Sequence, residues 1–162
     1  MSDFQKRLEK AIERGYRAGD VRARAEAEKA VSEQELRRLH TQYRLEVSEH
    51  IEKCLREVAS HLPGFKLESI VSDRGWGGAV SRDDFQPGRG REPTARFSRL
   101  EMLVRPVSDY YVLELVAKAA IRDKECFNRT QYQRLAEVDL ASFTGLVDLW
   151  VLEFAELYAA KS

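Results

Sequence analysis

The chain has 162 residues, 27 basic and 27 acidic side chains, a formal net charge of zero, and 43% apolar residues. That length holds one domain with a core of its own, needing no disulfide or metal staple, and the apolar share excludes wholesale disorder. The neutral balance excludes a surface built throughout for nucleic acid but leaves room for a local basic patch.

The N-terminal residues Ser2-Asp3-Phe4-Gln5 fit a capping box. Phe4, Leu8 and Ile12 then recur at four-residue spacing, which is one face of a short helix. Gly15 and Gly19 weaken that helix, and Asp20 offers a cap for a new one. From residue 21 nothing interrupts a helical pattern until Pro63-Gly64. Its second half shows a stripe of Leu36, Leu39, Tyr43, Val47, Ile51, Cys54, Val58 and Leu62, in steps of three and four. Its first half is rich in Ala, Glu and Arg, with high helix propensity but few large apolar groups. A straight helix over residues 21–61 runs roughly 62 Å, against a diameter of about 40 Å for a compact chain of this size. The expectation is therefore a break or a projecting segment that invites a second copy. Residues 1–35 are read as a helical extension and residues 36–162 as a single α+β domain.

Past Pro63-Gly64 the period changes to two. Residues 67–72 read as a strand, 73–78 (Asp-Arg-Gly-Trp-Gly-Gly) as a turn, and 79–81 or a little more as a returning strand. Residues 86–93 are a loop by composition, 95–105 a strand. Tyr111, Leu113, Leu115, Ala117, Ala119 and Ile121 alternate with a half-polar row, as in a long strand with one covered face. A turn at Asp123-Lys124 and a strand over 125–130 follow. Connections this short imply an antiparallel meander. Asp139 caps a final helix bearing Phe143, Val147, Trp150, Val151, Phe154 and Tyr158, and a second row of Leu146, Leu149 and Leu152 predicts burial on more than one side. The predicted fold class is α+β: a long N-terminal helix, an antiparallel meander of about five strands, and a C-terminal helix packed on the sheet.

His50, Cys54 and His61 share a helix face and are zinc-type donors. One helix cannot close a tetrahedron over three turns, and no second Cys/His cluster completes it, so no metal and no cofactor are expected. Cys54 beside a His base lacks the strained turn of a nucleophile and reads as a small buried hydrophobe. Asp83, Asp84, Glu101 and Glu114 lie near strands but without the lysine that a metal-dependent nuclease places two residues after a strand Glu. Catalytic residues are therefore not assigned.

The stretch 74–105 holds seven Arg, no Lys and four acidic residues. Arg74 and Trp76 in one Gly-rich segment, with Arg89 and Arg91 in the next, form a candidate binding surface. Arg grips phosphate or carboxylate bidentately and Trp stacks on a base. The competing reading is a glycine-dependent hairpin whose Trp folds back on the sheet. No apolar leader and no uncharged apolar run of membrane-spanning length are present, so a cytoplasmic protein with reduced cysteines and no membrane contact is expected. The leading functional expectation is a small non-catalytic binding or assembly protein, a homodimer or other homo-oligomer. The alternative is a module binding anionic ligands or nucleic acid through the Arg-rich hairpins.

Overall fold

The computed structural model describes residues 2–86 and 94–161. In chain order it holds helix α1 (Asp3–His61), strands β1 (Lys66–Ser72), β2 (Gly75–Gln86), β3 (Thr94–Val104), β4 (Val112–Ile121) and β5 (Lys124–Arg134), one 3₁₀ turn (Leu135–Glu137), and helix α2 (Leu140–Lys161). The five strands form one antiparallel sheet in the order β1-β2-β3-β4-β5. The fold is α+β, with a long N-terminal helix, a five-strand meander and a C-terminal helix.

The capping box forms as its residues require. Ser2 Oγ accepts the Gln5 N–H at 3.2 Å, and the Ser2 N–H donates to Gln5 Oε1 at 3.4 Å. Gly15 and Gly19, expected to weaken the helix, do not interrupt it, and both lie inside α1. A glycine costs a helix interior only about 0.5–1 kcal/mol relative to alanine, which the strong helix formers around these two offset. The chain divides into two compact units, Met1–Arg38 and Leu39–Ser162. In the first, no described residue is buried.

The second unit is organised by one face of the sheet. Val80 on β2, Leu100, Met102 and Val104 on β3, and Leu113, Leu115, Ala117, Ala119 and Ile121 on β4 are all buried. Their registers place them side by side: Val80 opposite Leu100, Leu100 opposite Ala119, Met102 opposite Ala117. Val47, Ile51, Leu55 and Val58 of α1, with Phe143, Val147, Trp150, Val151, Phe154 and Tyr158 of α2, are buried too. Phe65 sits edge-on to Phe154 and Tyr158, with ring centres 5.9 and 4.8 Å away. Tyr158 Oη reaches Asp84 of β2 at 3.3 Å, and Arg129 of β5 pairs with Glu153 of α2. Helix α2 is buried along this one row only: Leu149 and Leu152 of its second row are exposed, contrary to the two-sided burial expected of it.

Two turns differ from expectation. Residues 75–78, expected within a turn, belong to β2, and only Asp73-Arg74 connects β1 to β2. The glycines serve close backbone approach. A Cβ on Gly77 would stand 2.0 Å from the Met102 carbonyl oxygen, and one on Gly75, at φ +148°, 2.3 Å from that of Val104. The β4–β5 turn centres on Arg122 and Asp123, at φ 50° and 67°, the positive pair that matches a two-residue hairpin to sheet twist. Asp tolerates that region, but Arg does not favour it. The turn is held instead by β3: Arg122 N–H donates to the buried Ser98 Oγ at 3.0 Å, and Asp123 exchanges hydrogen bonds with the Phe97 backbone at 2.9 and 3.0 Å.

These approaches set opposite outcomes for two glycine substitutions. Gly77→Ala forces β2 away from β3 and is expected to destabilise the fold by about 2–3 kcal/mol. Gly15→Ala meets no atom within 4 Å and is expected to leave unfolding of the sheet unit unchanged while raising helicity. Urea unfolding followed by Trp fluorescence and far-UV circular dichroism checks both.

Candidate functional site

Of the residues expected to bind anions, Arg74 reaches the sheet's second face, where it meets a string of charges. Glu101 of β3 lies opposite Ala79 and Lys118 on that face. Arg74 reaches Glu101 Oε1 at 2.8 Å, Arg99 reaches the same oxygen at 3.2 Å, and Arg99 also meets Glu68 at 3.5 Å. Burial raises the pKa of the Glu101 carboxyl, but the two guanidinium groups outweigh that and hold it below the usual carboxylate range. Beside this string is a shallow depression of about 560 Å³, lined by Arg74, Phe97, Arg99, Lys118, Asp123 and Glu125 among others. Ile70, Ala79 and Leu103 form a small apolar cluster on the same face, with Val116 packed against it. Paired charges of this kind attract a further anion weakly.

Trp76 is on the other face. It stands opposite Val104 in the sheet, and the Arg44 guanidinium of α1 lies 4.1 Å from its ring centre, a cation–π contact within the helix-covered layer. Arg74 and Trp76, neighbours in sequence, thus serve opposite faces. Arg89 and Arg91 lie outside the described residues. Gln86, the last described residue before them, is at the far end of β2 from Gly75, eleven residues or roughly 36 Å of extended strand away. Arg74 also supports the hairpin by its backbone, its carbonyl accepting from Arg105 Nη1 at 3.2 Å.

A second constellation lies where α1 and α2 run side by side. His50 Nε2 is 2.7 Å from Asp148 Oδ1; Cys54 Sγ is 3.3 Å from the same Oδ1 and 3.5 Å from the same Nε2. One turn of α1 separates His50 from Cys54, so both project toward one neighbour. On α2, Val147, Trp150 and Val151 point into the core and leave Asp148 at the rim, facing α1. Burial, with the Asp148 carboxylate beside it, pushes the Cys54 thiol up to about 11. At Asp148 burial acts upward, but the hydrogen bonds from His50 and Cys54 prevail and hold its carboxyl low. Cys54 and Asp148 open onto an apolar groove of about 640 Å³ between the helices, lined by Val58, Leu62, Val151, Leu152, Ala155 and Ala159 among others. His61, which sequence spacing grouped with His50 and Cys54, lines the groove but spends Nδ1 on the Glu57 carbonyl at 2.8 Å.

His40 is the buried imidazole of the chain's second unit. Its Nε2–H donates to the Arg105 carbonyl at 3.1 Å. Burial lowers its pKa below the ordinary 6.5, more than that hydrogen bond restores, and Arg44 adds to the depression.

No family model, curated protein or solved structure matches the chain. Among the described residues no helix is long and apolar enough to cross a membrane.

The His40 shift has a defined consequence. The unfolded chain takes up this proton near the ordinary value, and the folded chain takes it up at lower pH, so between the two the unfolded state holds more protons. This contribution to stability is fully present above about pH 6.5 and is lost as pH falls through the folded-state value. Replacing His40 with Gln, which keeps an amide donor, is expected to flatten the loss of stability between about pH 7 and pH 5. Chemical denaturation of both proteins across that range measures it.

Proposed function

We propose that the protein is a non-catalytic assembly protein that acts through helix-mediated self-association. The observation that carries this reading is the exposure of the N-terminal unit's apolar face. Phe4, Leu8, Ile12 and Tyr16, one turn apart on α1, are 68%, 46%, 48% and 73% exposed, and no described residue of that unit is buried. Most helical stability in proteins comes from packing an amphipathic face, not from propensity, and fully burying one such side chain stabilises by about 1.5–3 kcal/mol.

Charge order supports a second copy as the occupant. Residues 3–19 carry five basic and three acidic side chains, whereas residues 20–36 carry three basic and five acidic. An antiparallel pair of these segments sets the basic half of each against the acidic half of the other, while a parallel pair sets like against like. The exposed Leu149 and Leu152 of α2 offer a second surface of the same apolar character.

Sedimentation equilibrium of the full chain at tens of micromolar, roughly the range of weak dimers, is expected to show a dimer. Leu8→Glu with Ile12→Glu is expected to give a monomer whose thermal unfolding of the sheet unit stays cooperative, as is removal of residues 1–31. A monomeric wild-type chain under these conditions, or loss of folding on that truncation, overturns the reading.

A further inference from the structure

We propose that His50 Nε2, Cys54 Sγ and Asp148 Oδ1 form a zinc site, with a fourth coordination position open beside the apolar groove between α1 and α2. The case rests on convergence. Three contacts among three residues involve one atom from each, making a single triangle with sides of 2.7, 3.3 and 3.5 Å. Zinc binds imidazole nitrogen and carboxylate oxygen at about 2.0–2.2 Å and thiolate sulfur at about 2.3 Å, in tetrahedral geometry. These lengths place sulfur roughly 3.5 Å from nitrogen or oxygen, and nitrogen roughly 3.3 Å from oxygen. Both sulfur edges are already in place, and only the His50–Asp148 edge must open, by roughly 0.6 Å on the same geometry.

The donor set points to the metal. Thiolate, imidazole and carboxylate together suit zinc, whereas magnesium and calcium take oxygen. The ligands come from two helices that the core already holds together, so the three donors converge before the ion arrives. Side chains of His50 and Asp148 are 27% and 52% exposed, which leaves a path for entry. Three protein ligands and one open position is the pattern of zinc sites that bind a further water or ligand. On binding, the thiol proton leaves to solvent and the imidazole proton resides on Nδ1, freeing the Nε2 lone pair.

A Cys–His–Asp nucleophile fits the same residues less well. In such a triad the carboxylate holds one ring nitrogen while the other takes the nucleophile's proton. Here Asp148 and Cys54 both meet Nε2, so Asp148 does not orient the ring from behind. Cys126 takes no part: its Sγ contacts the Lys124 carbonyl at 3.7 Å.

The test is titration of the untagged full chain with Zn²⁺ by calorimetry, and with Co²⁺ by absorption. One equivalent is expected, with the visible bands of tetrahedral Co²⁺ and a near-ultraviolet thiolate charge-transfer band. Cys54→Ser should abolish that band, Cys126→Ser should leave it, and His50→Ala or Asp148→Ala should each weaken binding by more than about tenfold, since loss even of an outer partner costs that much. A measurement independent of ligand substitutions uses Cys126→Ser: Zn²⁺ should protect Cys54 from a thiol-modifying disulfide reagent, and a chelator should restore its reactivity. Failure of the chain to bind Zn²⁺ at micromolar concentration, retention of the charge-transfer band in Cys54→Ser, or unprotected Cys54 overturns the proposal.

Discussion

One constraint organises residues 39–162: a five-strand sheet with a continuous apolar face must be covered by helix. Leu113, Leu115, Ala117, Ala119 and Ile121 make the inward side of β4 wholly apolar, and all five are buried. One helix is roughly 10 Å wide, while five strands at about 4.8 Å spacing span about 20 Å, so two helices must lie side by side. The C-terminal part of α1 and all of α2 supply them. The contact between His50 and Cys54 on one and Asp148 on the other follows from that packing. Neither helix alone presents the three atoms together.

Legibility in the sequence follows physical range. The strands were readable because alternation is local: each residue of β4 reports its own face. The two helices were readable for the same reason, through steps of three and four. What failed was glycine chemistry at residues 75–78. Arg-Gly-Trp-Gly-Gly reads as a flexible turn by composition, yet Gly75 and Gly77 are small because the carbonyls of Val104 and Met102 stand where their Cβ atoms would be. That requirement comes from β3, more than twenty residues away, and no local pattern encodes it. With these glycines inside a strand, Trp76 is committed to the helix-covered face, where Arg44 stacks on it, while Arg74 reaches Glu101 on the other face.

The site shows the same division. His50 and Cys54 were legible as a pair, because one helical turn places them together whatever the fold. Asp148 was not, lying 94 residues from Cys54 and looking like a charge that merely interrupts an apolar helix. Its role depends on the phase of α2. Once Val147, Trp150, Val151 and Phe154 turn inward, position 148 falls at the edge of the buried stripe, where a polar residue is needed and where α1 runs past. The signal was present as a carboxylate at a boundary position of a strongly apolar helix, but its partner could be named only from the packing.

The proposed self-association and the proposed metal binding draw on different parts of the chain, and their energetics would separate accordingly. The exposed face of Phe4, Leu8, Ile12 and Tyr16 belongs to the first unit, where helix propensity holds the backbone and packing has yet to be supplied. The His50, Cys54 and Asp148 atoms belong to the second, where the core positions them in advance. A metal bound by the native state but not by the unfolded chain stabilises in proportion to the logarithm of its free concentration, so zinc at the proposed site would strengthen the second unit at any protein concentration. The proposed helix pairing would instead depend on the concentration of the chain itself. On the two proposals, chelation and dilution would therefore act on separate equilibria, one on the junction of α1 and α2 and the other on the N-terminal helix.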